Sequence, residues 1–177
     1  METPKDPKYF DNVTNVLLMS NMFALKAMTD EALALGFHAR IANDRFQGEA
    51  REVASDILED LGRSPRNTAL IYGGESTVTL NRQGKGGRNA ELALAALRSI
   101  GKGELIVSVA SDGRDNGDYA GAIADPETRQ KAMAFKLDPN AYLAWHDSVK
   151  FFEQTGDYLM TGYTGSNVSD LVIAIKE

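Results

Sequence analysis

The amino-acid sequence predicts an α/β fold in which a mixed or mostly parallel sheet is flanked by helices. Short apolar runs typical of buried strands alternate with helical patterns over about the first sixty residues, which is the rhythm of a parallel sheet. The 177 residues are 43% hydrophobic and 25% charged, an ordinary globular composition. A chain of this length forms one domain or a compact pair of domains.

The first elements are a strand and a helix. Residues 1–8 are polar and predict a flexible start. The apolar run Val13–Met19 predicts a buried strand. A helix follows, capped by Ser20 or Asn21, and it ends near Gly36, where a left-handed C-cap is expected.

A second strand and helix complete the first segment. Phe37–Ile41 predicts a short strand, and the next helix is the clearest element because its apolar residues follow the i, i+3, i+4 pattern. That pattern comprises Ala50, Val53, Ala54, Ile57, Leu58 and Leu61. Gly62 is expected to end the helix, and Gly62–Asn67 reads as a linker between residues 9–64 and residues 65–177.

Beyond the linker the pattern predicts two strands, Thr68–Tyr72 and Ser76–Leu80, joined by a turn at Gly73-Gly74. A helix from Asn89 to Ile100 follows and is apolar nearly all round, so we expect it to be buried on several sides. The run Glu104–Val109 predicts another strand.

Three helix starts then occur in succession. Asp125 and Asp138 each precede a proline, which places a capping carboxylate before a residue suited to the first helical position. Asp147 is the expected cap of a third helix that ends at Gly156. A final strand is predicted at Leu171–Ile175. The aromatic residues expected to fill the core here are Trp145, Phe151 and Phe152.

Composition and charge exclude several classes of protein. The net charge of −6 and the pI of about 5.0 argue against a dedicated nucleic-acid binder. The absence of cysteine excludes disulfides, thiolate zinc sites and a cysteine nucleophile. No apolar run approaches the ~18 residues of a membrane span, and the polar N-terminus has no signal-peptide core. These features predict a cytoplasmic protein that uses neither a membrane nor nucleic acid.

Two glycine-rich loops are candidate ligand sites. Gly73-Gly74-Glu75 is either a tight hairpin turn or a stretch of bare backbone that lets a ligand approach beside Glu75. The loop Gly84–Asn89 leads into a helix, whose N-terminus attracts anions, and Lys85 and Arg88 add positive charge. The alternative is a flexible turn with Asn89 as N-cap. This loop is neither a Walker A motif nor a dinucleotide fingerprint.

Two polar loops are further candidates. In Ser111–Asp118, residues Asp112, Asp115 and Asp118 do not match the EF-hand spacing, but one or two carboxylates would suit Mg²⁺ bound with a phosphate. A solvated acidic turn is the alternative. The loop Thr161–Asn167 is rich in hydroxyl groups and glycine, and either wraps a small polar ligand or forms a simple turn. His38 and His146 lack metal-ligand spacing and read as ordinary histidines.

Together these loops carry a resemblance to a known family. Five motifs occur in order, at Gly73–Val78, Gly84–Leu92, Ser111–Gly113, Tyr119–Ile123 and Thr161–Leu171. This arrangement closely resembles the MOFRL domain at the C-terminus of bacterial and archaeal glycerate 2-kinases, which are often labelled hydroxypyruvate reductase. Residues 65–177 are MOFRL-like, and residues 9–64 resemble the end of the N-terminal kinase domain that precedes it.

The resemblance implies a reaction and a set of roles. In the family, Mg-ATP phosphorylates the 2-hydroxyl of D-glycerate in a cleft between two parts, so this chain would supply half of the site and be inactive alone. Arg88, Glu75 and Asp112 are the implied catalytic residues, with Arg88 holding a phosphoryl group or the glycerate carboxylate. The implied substrate and phosphate contacts are Gly73, Gly74, Lys85, Gly86, Gly87, Asn89, Thr164 and Asn167. The implied Mg²⁺ ligands are Asp112 and Asp115.

The chain also departs from the family. Ala110-Ser111-Asp112-Gly113 stands where Gly-Thr-Asp-Gly is usual, and Tyr163 stands where proline is common. Family members carry an N-terminal part with an essential lysine, and we expect this sequence to lack it. The other half of the site would then come from that N-terminal domain or from a separate partner chain. The chain could also form a homo-oligomer. The alternative function is a non-catalytic module that binds a small anion or another protein. A reductase is disfavoured because no dinucleotide fingerprint is present.

Overall fold

The computed structural model describes residues 3–177, and within them one sheet has six strands in the order β1-β2-β6-β3-β4-β5. The strands are β1 (His38–Glu49), β2 (Thr68–Thr77), β3 (Glu104–Ala110), β4 (Gly121–Ala124), β5 (Tyr158–Leu159) and β6 (Asp170–Lys176). β1 and β2 are parallel, and all other neighbouring strands are antiparallel. The predicted α/β class with a mixed sheet is therefore confirmed, whereas a mostly parallel sheet is wrong.

Six α-helices and one 3-10 turn are present in the described residues. They are a 3-10 turn (Pro7–Tyr9), α1 (Asn21–Ala34), α2 (Ala50–Arg63), α3 (Arg88–Leu97), α4 (Pro126–Ala134), α5 (Pro139–Trp145) and α6 (Ser148–Thr155). Asp125 caps α4 through Thr128 N, and Asp138 caps α5 through Asn140 N, as the sequence predicts. Asp147 precedes α6 but makes no side-chain capping bond to it.

The helices cover the two faces of the sheet unequally. α2 and α3 pack against one face, where Leu70, Ile106, Val172 and Ala174 join one core cluster. α1 packs on β1 and β2 on the opposite face and reaches β6. Phe151 and Phe152 of α6 are fully buried as expected, whereas Trp145 is 54% exposed, so its predicted core position is wrong.

The predicted buried strand at Val13–Met19 is wrong. These residues form no strand, and Leu17 and Leu18 are 78% and 84% exposed. The β-branched and apolar composition is typical of a strand, but no strand of residues 3–177 pairs with it. Residues 1–2 of the predicted flexible start lie outside the described residues.

The predicted turn at Gly73-Gly74 is also wrong, because β2 runs through both glycines without interruption. A side chain at Gly74 would clash with the backbone of Phe46 on the neighbouring strand. Gly74 therefore permits a close approach of two strands, and the second strand predicted at Ser76–Leu80 is the end of β2 and a following loop.

Helix boundaries shift by a few residues, as is usual for helix ends, whereas β1 is much longer than the predicted strand. α2 continues through Gly62, α3 begins at Arg88 with Gly87 as N-cap, and β1 extends far beyond Ile41. Asn89 is therefore inside α3 and is not its cap. The predicted linker begins inside the last turn of α2 and continues to β2, and β1 and β2 on its two sides pair in the same sheet. No helix within residues 3–177 is long and apolar enough to cross a membrane.

Candidate functional site

The candidate site lies at one edge of the sheet, where three strands bring their loops together. Asp170, the first residue of β6, is in register with Gly74 of β2 on one side and Ala110 of β3 on the other. The residue after Gly74 is Glu75, and the loop after Ala110 contains Asp112 and Asp115. Antiparallel insertion of β6 therefore gathers loops that are far apart in the sequence.

Arg88, at the start of α3, connects two carboxylates across this edge. Its Nε and Nη2 donate to the two carboxylate oxygens of Asp170 at 2.6 and 3.1 Å, and Nη1 lies 2.8 Å from Oε1 of Glu75. The Asp170 side chain is 1% exposed, whereas the Glu75 side chain is 62% exposed. A fork-to-fork contact of this kind holds the plane of the guanidinium. Asp170 thus fixes the Arg88 guanidinium from the buried side, and Glu75 contacts it from the solvent side.

Burial and charge act in opposite directions on this pair. Burial raises the pKa of Asp170, although the hydrogen bonds from Arg88 and Asn89 and the charge of Arg88 pull it down. For Arg88, burial works against the charged form, but the hydrogen bond and charge of Asp170, with the charge of Glu75, raise its pKa. Arg88 is therefore charged, and its contacts, with the hydrogen bond from Asn89, favour the ionised form of Asp170 against burial.

Asp115 supplies the anion at the N-terminus of α3. Its Oδ1 accepts from Asn89 N at 3.1 Å and its Oδ2 accepts from Ala90 N at 2.8 Å. Asn89 Nδ2 also donates to Asp115 and to Asp170, at 3.3 and 3.0 Å, and Asn89 Oδ1 accepts from Ser108 at 2.6 Å. Burial raises the pKa of Asp115 against these hydrogen bonds. Asn89 therefore bridges two buried carboxylates, and the backbone N–H groups expected to bind a ligand phosphate are bonded to the protein's own Asp115.

The glycines of the loop before α3 allow it to pack against other parts of the chain. A Cβ at Gly84 would clash with the Trp145 carbonyl oxygen, and one at Gly86 would lie 2.5 Å from Ser148 Oγ. A Cβ at Gly87 would collide with Asp115. These glycines are explained by close backbone approach without any bound ligand.

Lys85 is directed to α6. Its Nζ lies 2.7 Å from Glu153 Oε1, which raises the pKa of Lys85, and its backbone N–H donates to Asp147 at 2.7 Å. Asp147 Oδ1 is therefore bound by the loop and by Lys150, and it makes no capping bond to α6. The role of Lys85 as a phosphate contact stays a prediction that requires it to leave Glu153.

The two polar loops contact each other beside β6. Thr164 donates to the Ser111 carbonyl through Oγ1 at 2.6 Å and to the Asp112 carbonyl through its N–H at 3.1 Å. Asn167 Nδ2 lies 3.4 Å from Asp112 Oδ2. Asp112, Thr164 and Asn167 are thus brought together, whereas Asp118 is exposed.

Asp112 and Asp115 differ in how well they could bind a divalent cation. Both Asp115 oxygens accept hydrogen bonds from α3, so this residue serves as a cap more readily than as a ligand. Asp112 keeps a half-buried carboxylate that receives one backbone N–H, from Arg114 at 2.9 Å. Within residues 3–177 no group of three or more acidic, histidine or cysteine side chains is placed to hold a metal ion. A site at Asp112 would need oxygen ligands from the substrate, as is common for Mg²⁺.

A cavity of about 290 Å³ opens beside Arg88. Its walls include Arg88, Arg114 and Asn116, together with apolar Val78 and Leu80. Sequence reasoning did not select Arg114 as a site residue.

A second buried ion cluster forms the floor of this cavity. Glu91 is 1% exposed, and its Oε1 accepts from Arg51 Nε at 2.8 Å and lies 3.3 Å from His146 Nδ1. The other ring nitrogen of His146 lies 3.0 Å from Asn81 Oδ1, and Arg51 also donates to the Leu143 carbonyl. Sequence reasoning missed Glu91, Arg51 and Asp170 as site residues. Two of them carried a signal in the sequence. Glu91 is an acidic residue within an otherwise apolar helix, and Asp170 stands directly before an apolar run.

Comparisons with known proteins agree with the motifs. Residues 68–170, more than half of the chain, match the MOFRL family. A glycerate 2-kinase from Pyrococcus horikoshii is 38% identical over 174 residues, covering 93% of this chain and 40% of the relative. A D-glycerate 2-kinase from Thermotoga maritima is 36% identical over 183 residues, covering 96% of this chain and 43% of the relative.

A crystal structure of a glycerate kinase from Thermotoga maritima is similar to this fold with a TM-score of 0.87 at 34% identity, covering 94% of this chain and 43% of that chain. These findings confirm the resemblance drawn from the motifs. The chain spans 40–43% of the length of these relatives.

Proposed function

The chain belongs to the MOFRL family, and from this premise we propose that it contributes half of a site for Mg-ATP-dependent phosphorylation of D-glycerate, and is inactive alone. The relatives that carry kinase names are more than twice as long as the matched region. The residues outside that region would supply the other wall of the cleft, either in the same polypeptide or as a separate chain.

The observation that carries the proposal is the placement of Arg88. Asp170 holds two guanidinium nitrogens from the buried side, and the third nitrogen meets Glu75, which is mostly in solvent. An anionic substrate can replace an exposed carboxylate at Nη1 without disturbing the buried contact. We assign Arg88 to the glycerate carboxylate or to the transferred phosphoryl group, because a fixed guanidinium suits both anions.

The other residues have positioning roles in this proposal. Glu75, once displaced from Arg88, would accept a hydrogen bond from a substrate hydroxyl. Asp112 would hold Mg²⁺ together with phosphate oxygens, and the cation would neutralise charge on the phosphates. Thr164 and Asn167 set the position of Asp112 through their hydrogen bonds. Phosphoryl transfer depends mainly on such positioning and charge neutralisation, and so it requires the complete cleft.

Binding and turnover test the proposal separately. Calorimetric titration of D-glycerate into this chain should show weak binding that falls at least about tenfold in Arg88→Ala, consistent with the ~1.5–3 kcal/mol of a charged hydrogen bond. Arg98→Ala is the matched control, because Arg98 is an exposed arginine just after α3. Unchanged glycerate affinity in Arg88→Ala would refute the role of Arg88.

A coupled assay of ADP release tests the half-site. This chain alone, given Mg-ATP and D-glycerate, should show little or no turnover. Activity should appear when it is co-expressed with the portion of the Thermotoga maritima relative that lies outside the matched region. Robust turnover by the chain alone would contradict the half-site, and anion binding with no turnover in either case would support a non-catalytic module.

A further inference from the structure

On one face of the sheet, the helices of residues 3–177 cover only part of the aliphatic side chains. α1 lies over β1 and β2 on this face and only reaches β6, and α2 and α3 lie on the other face. The remaining aliphatic positions alternate along three neighbouring strands and are half-buried. α1 borders two of them, Ile173 and Ile175. We call this set the open sheet face: Leu105, Val107, Val109, Ile123, Leu171, Ile173 and Ile175.

The strand register places these residues side by side. Val107 is in register with Ile123 of β4 and with Ile173 of β6, and Leu105 is in register with Ile175. Paired residues of neighbouring strands point to the same face. An antiparallel sheet with one face in water usually has polar residues at the alternate positions. The open sheet face has branched aliphatic residues there, which is the composition of a covered layer.

A second apolar surface is the extended segment Val13–Met19. Val16, Leu17, Leu18 and Met19 are each at least 60% exposed, and the segment belongs to none of the six strands. Its sequence has the β-branched and apolar composition of a buried strand. The described residues offer it no partner strand, so its strand-forming pattern is unmatched within this chain.

α1 connects the two surfaces. Its N-terminus follows the segment directly, and Phe23 in its first turn is 64% exposed. At its other end, Leu35 and Phe37 share a groove of about 400 Å³ with Ile173 and Ile175. Exposed apolar side chains therefore occur at both ends of α1, beside the segment and beside the open sheet face. Exposed apolar surface of this kind marks an interaction site.

The segment also reaches the candidate site. Met19 Sδ lies 3.3 Å from Ser166 Oγ, in the loop that holds Thr164 and Asn167. Leu17 and Met19 line a shallow groove with Arg45 and Asn167. A polypeptide bound to the segment would therefore stand next to the edge of the sheet at which Arg88 and Glu75 lie.

We propose that the segment Val13–Met19 adds as a strand to a partner polypeptide that also covers the open sheet face, and that this partner corresponds to the portion of the relatives outside the matched region. The relatives have more than half of their length there, enough to supply a further sheet and helical layer. The proposal rests on the proposed half-site and identifies the surfaces by which its two halves associate.

The test is co-expression of this chain with that portion of the Thermotoga maritima relative, followed by purification and measurement of Kd. We expect a 1:1 complex in which amide exchange slows at residues 13–19 and the methyl signals of Ile173 and Ile175 shift. Leu17→Asp combined with Leu18→Asp should weaken the complex at least tenfold. Met133→Asp is the control, because Met133 is an exposed apolar residue of α4.

Thr14→Pro and Asn15→Pro, made separately, distinguish strand addition from loose apolar contact. Both changes keep every apolar side chain of the segment, and because neighbouring N–H groups of a strand point to opposite sides, one of the two removes a backbone N–H that a strand partner would bind. That variant should weaken the complex comparably to the aspartate pair. A complex unaffected by either change would overturn strand addition.

Two other outcomes would overturn the choice of partner. If this chain alone forms a dimer in sedimentation, with slowed exchange at residues 13–19 that Leu17→Asp and Leu18→Asp abolish, the surface binds a second copy. If the co-expressed portion is soluble and no complex forms, the surface does not bind it.

Where that portion is insoluble alone, joining the two parts in one polypeptide provides the same amide-exchange measurement. Unprotected amides at residues 13–19 in that folded protein would refute the proposal. A complex without kinase turnover would sustain this inference and contradict the proposed function.

Discussion

Replacing Arg88 with methionine should leave a buried carboxylate without its counter-ion. Methionine keeps the length and much of the apolar volume of the side chain but removes every contact to Asp170 and Glu75. Asp170 is 1% exposed and would retain only the hydrogen bond from Asn89 Nδ2 at 3.0 Å. The loss of Glu75 as a partner matters little, because exposed ion pairs contribute only about 0–1 kcal/mol.

The cost follows from the burial of the pair. Removing one partner of a fully buried ion pair destabilises a protein by about 3–5 kcal/mol. Arg88 is 35% exposed, so water can reach part of the vacated space and reduce this penalty. We therefore expect the free energy of unfolding at pH 7 to fall by about 2–3 kcal/mol. The matched change Arg98→Met, at an exposed position, should cost less than about 0.5 kcal/mol.

The pH dependence of the stability loss in Arg88→Met tests whether the unpaired Asp170 carboxylate causes it. Burial already raises the pKa of Asp170 above its unfolded value, so the folded state holds more protons between the two values and stability falls as the pH rises through that window. Arg88 lowers the pKa of Asp170, and its removal extends the window to higher pH. The loss of unfolding free energy in Arg88→Met should thus be largest near neutral pH. It should shrink as the pH is lowered through the pKa that Asp170 has in this variant.

Urea unfolding of four proteins measures this effect: the wild type, Arg88→Met, Asp170→Asn and the double variant, each at pH 7 and pH 5. The double variant lacks the unpaired carboxylate and should be more stable at pH 7 than Arg88→Met alone, with a coupling energy of at least about 1 kcal/mol. An equal deficit at both pH values, or additive single changes, would refute the view that Asp170 depends on Arg88 to remain ionised.

Two further changes test close packing and the second ion cluster. Gly74→Ala places a Cβ against the backbone of Phe46 and should lower the free energy of unfolding by about 1–3 kcal/mol, whereas Gly117→Ala, with open space around it, should change the melting temperature little. Equal melting temperatures of the two variants would contradict the close approach. Glu91→Gln removes the buried charge that Arg51 pairs with and should cost about 1–3 kcal/mol in urea unfolding; a change below about 0.5 kcal/mol would argue against a structural role for the pair.

The sequence predicted best those elements whose causes are local. The Asp-Pro pairs predicted the starts of α4 and α5, because a capping carboxylate and a proline act within one turn. The amphipathic pattern from Ala50 to Leu61 predicted α2 for the same reason. Strand pairing is not local, and so nothing in the order of elements indicated that β6, the last strand, would lie between β2 and β3.

The two errors of element assignment have one physical origin. Gly73-Gly74 has the composition of a turn, but β2 continues because Phe46 on β1 requires a neighbour without a side chain. The segment Val13–Met19 has the composition of a buried strand, but nothing in residues 3–177 covers it. In both cases the local composition indicated the wrong structure, because the presence or absence of a contact with a distant part of the chain decides the outcome.

The same distinction separates the residues of the candidate site. Motif order selected Arg88, Glu75, Asn89 and Asp115, but not their connections, because Asp170 joins them only after β6 has entered the sheet. The glycines and Asp115 then turn out to complete the packing of α3, which leaves the exposed side of Arg88 as the part of the site open to an anion. If that side faces a partner bound along Val13–Met19, the charge that an incoming substrate would meet is set by both polypeptides. The affinity of this chain alone for D-glycerate should then be weaker than that of the complex, and equal affinities would place the whole substrate contact within these 177 residues.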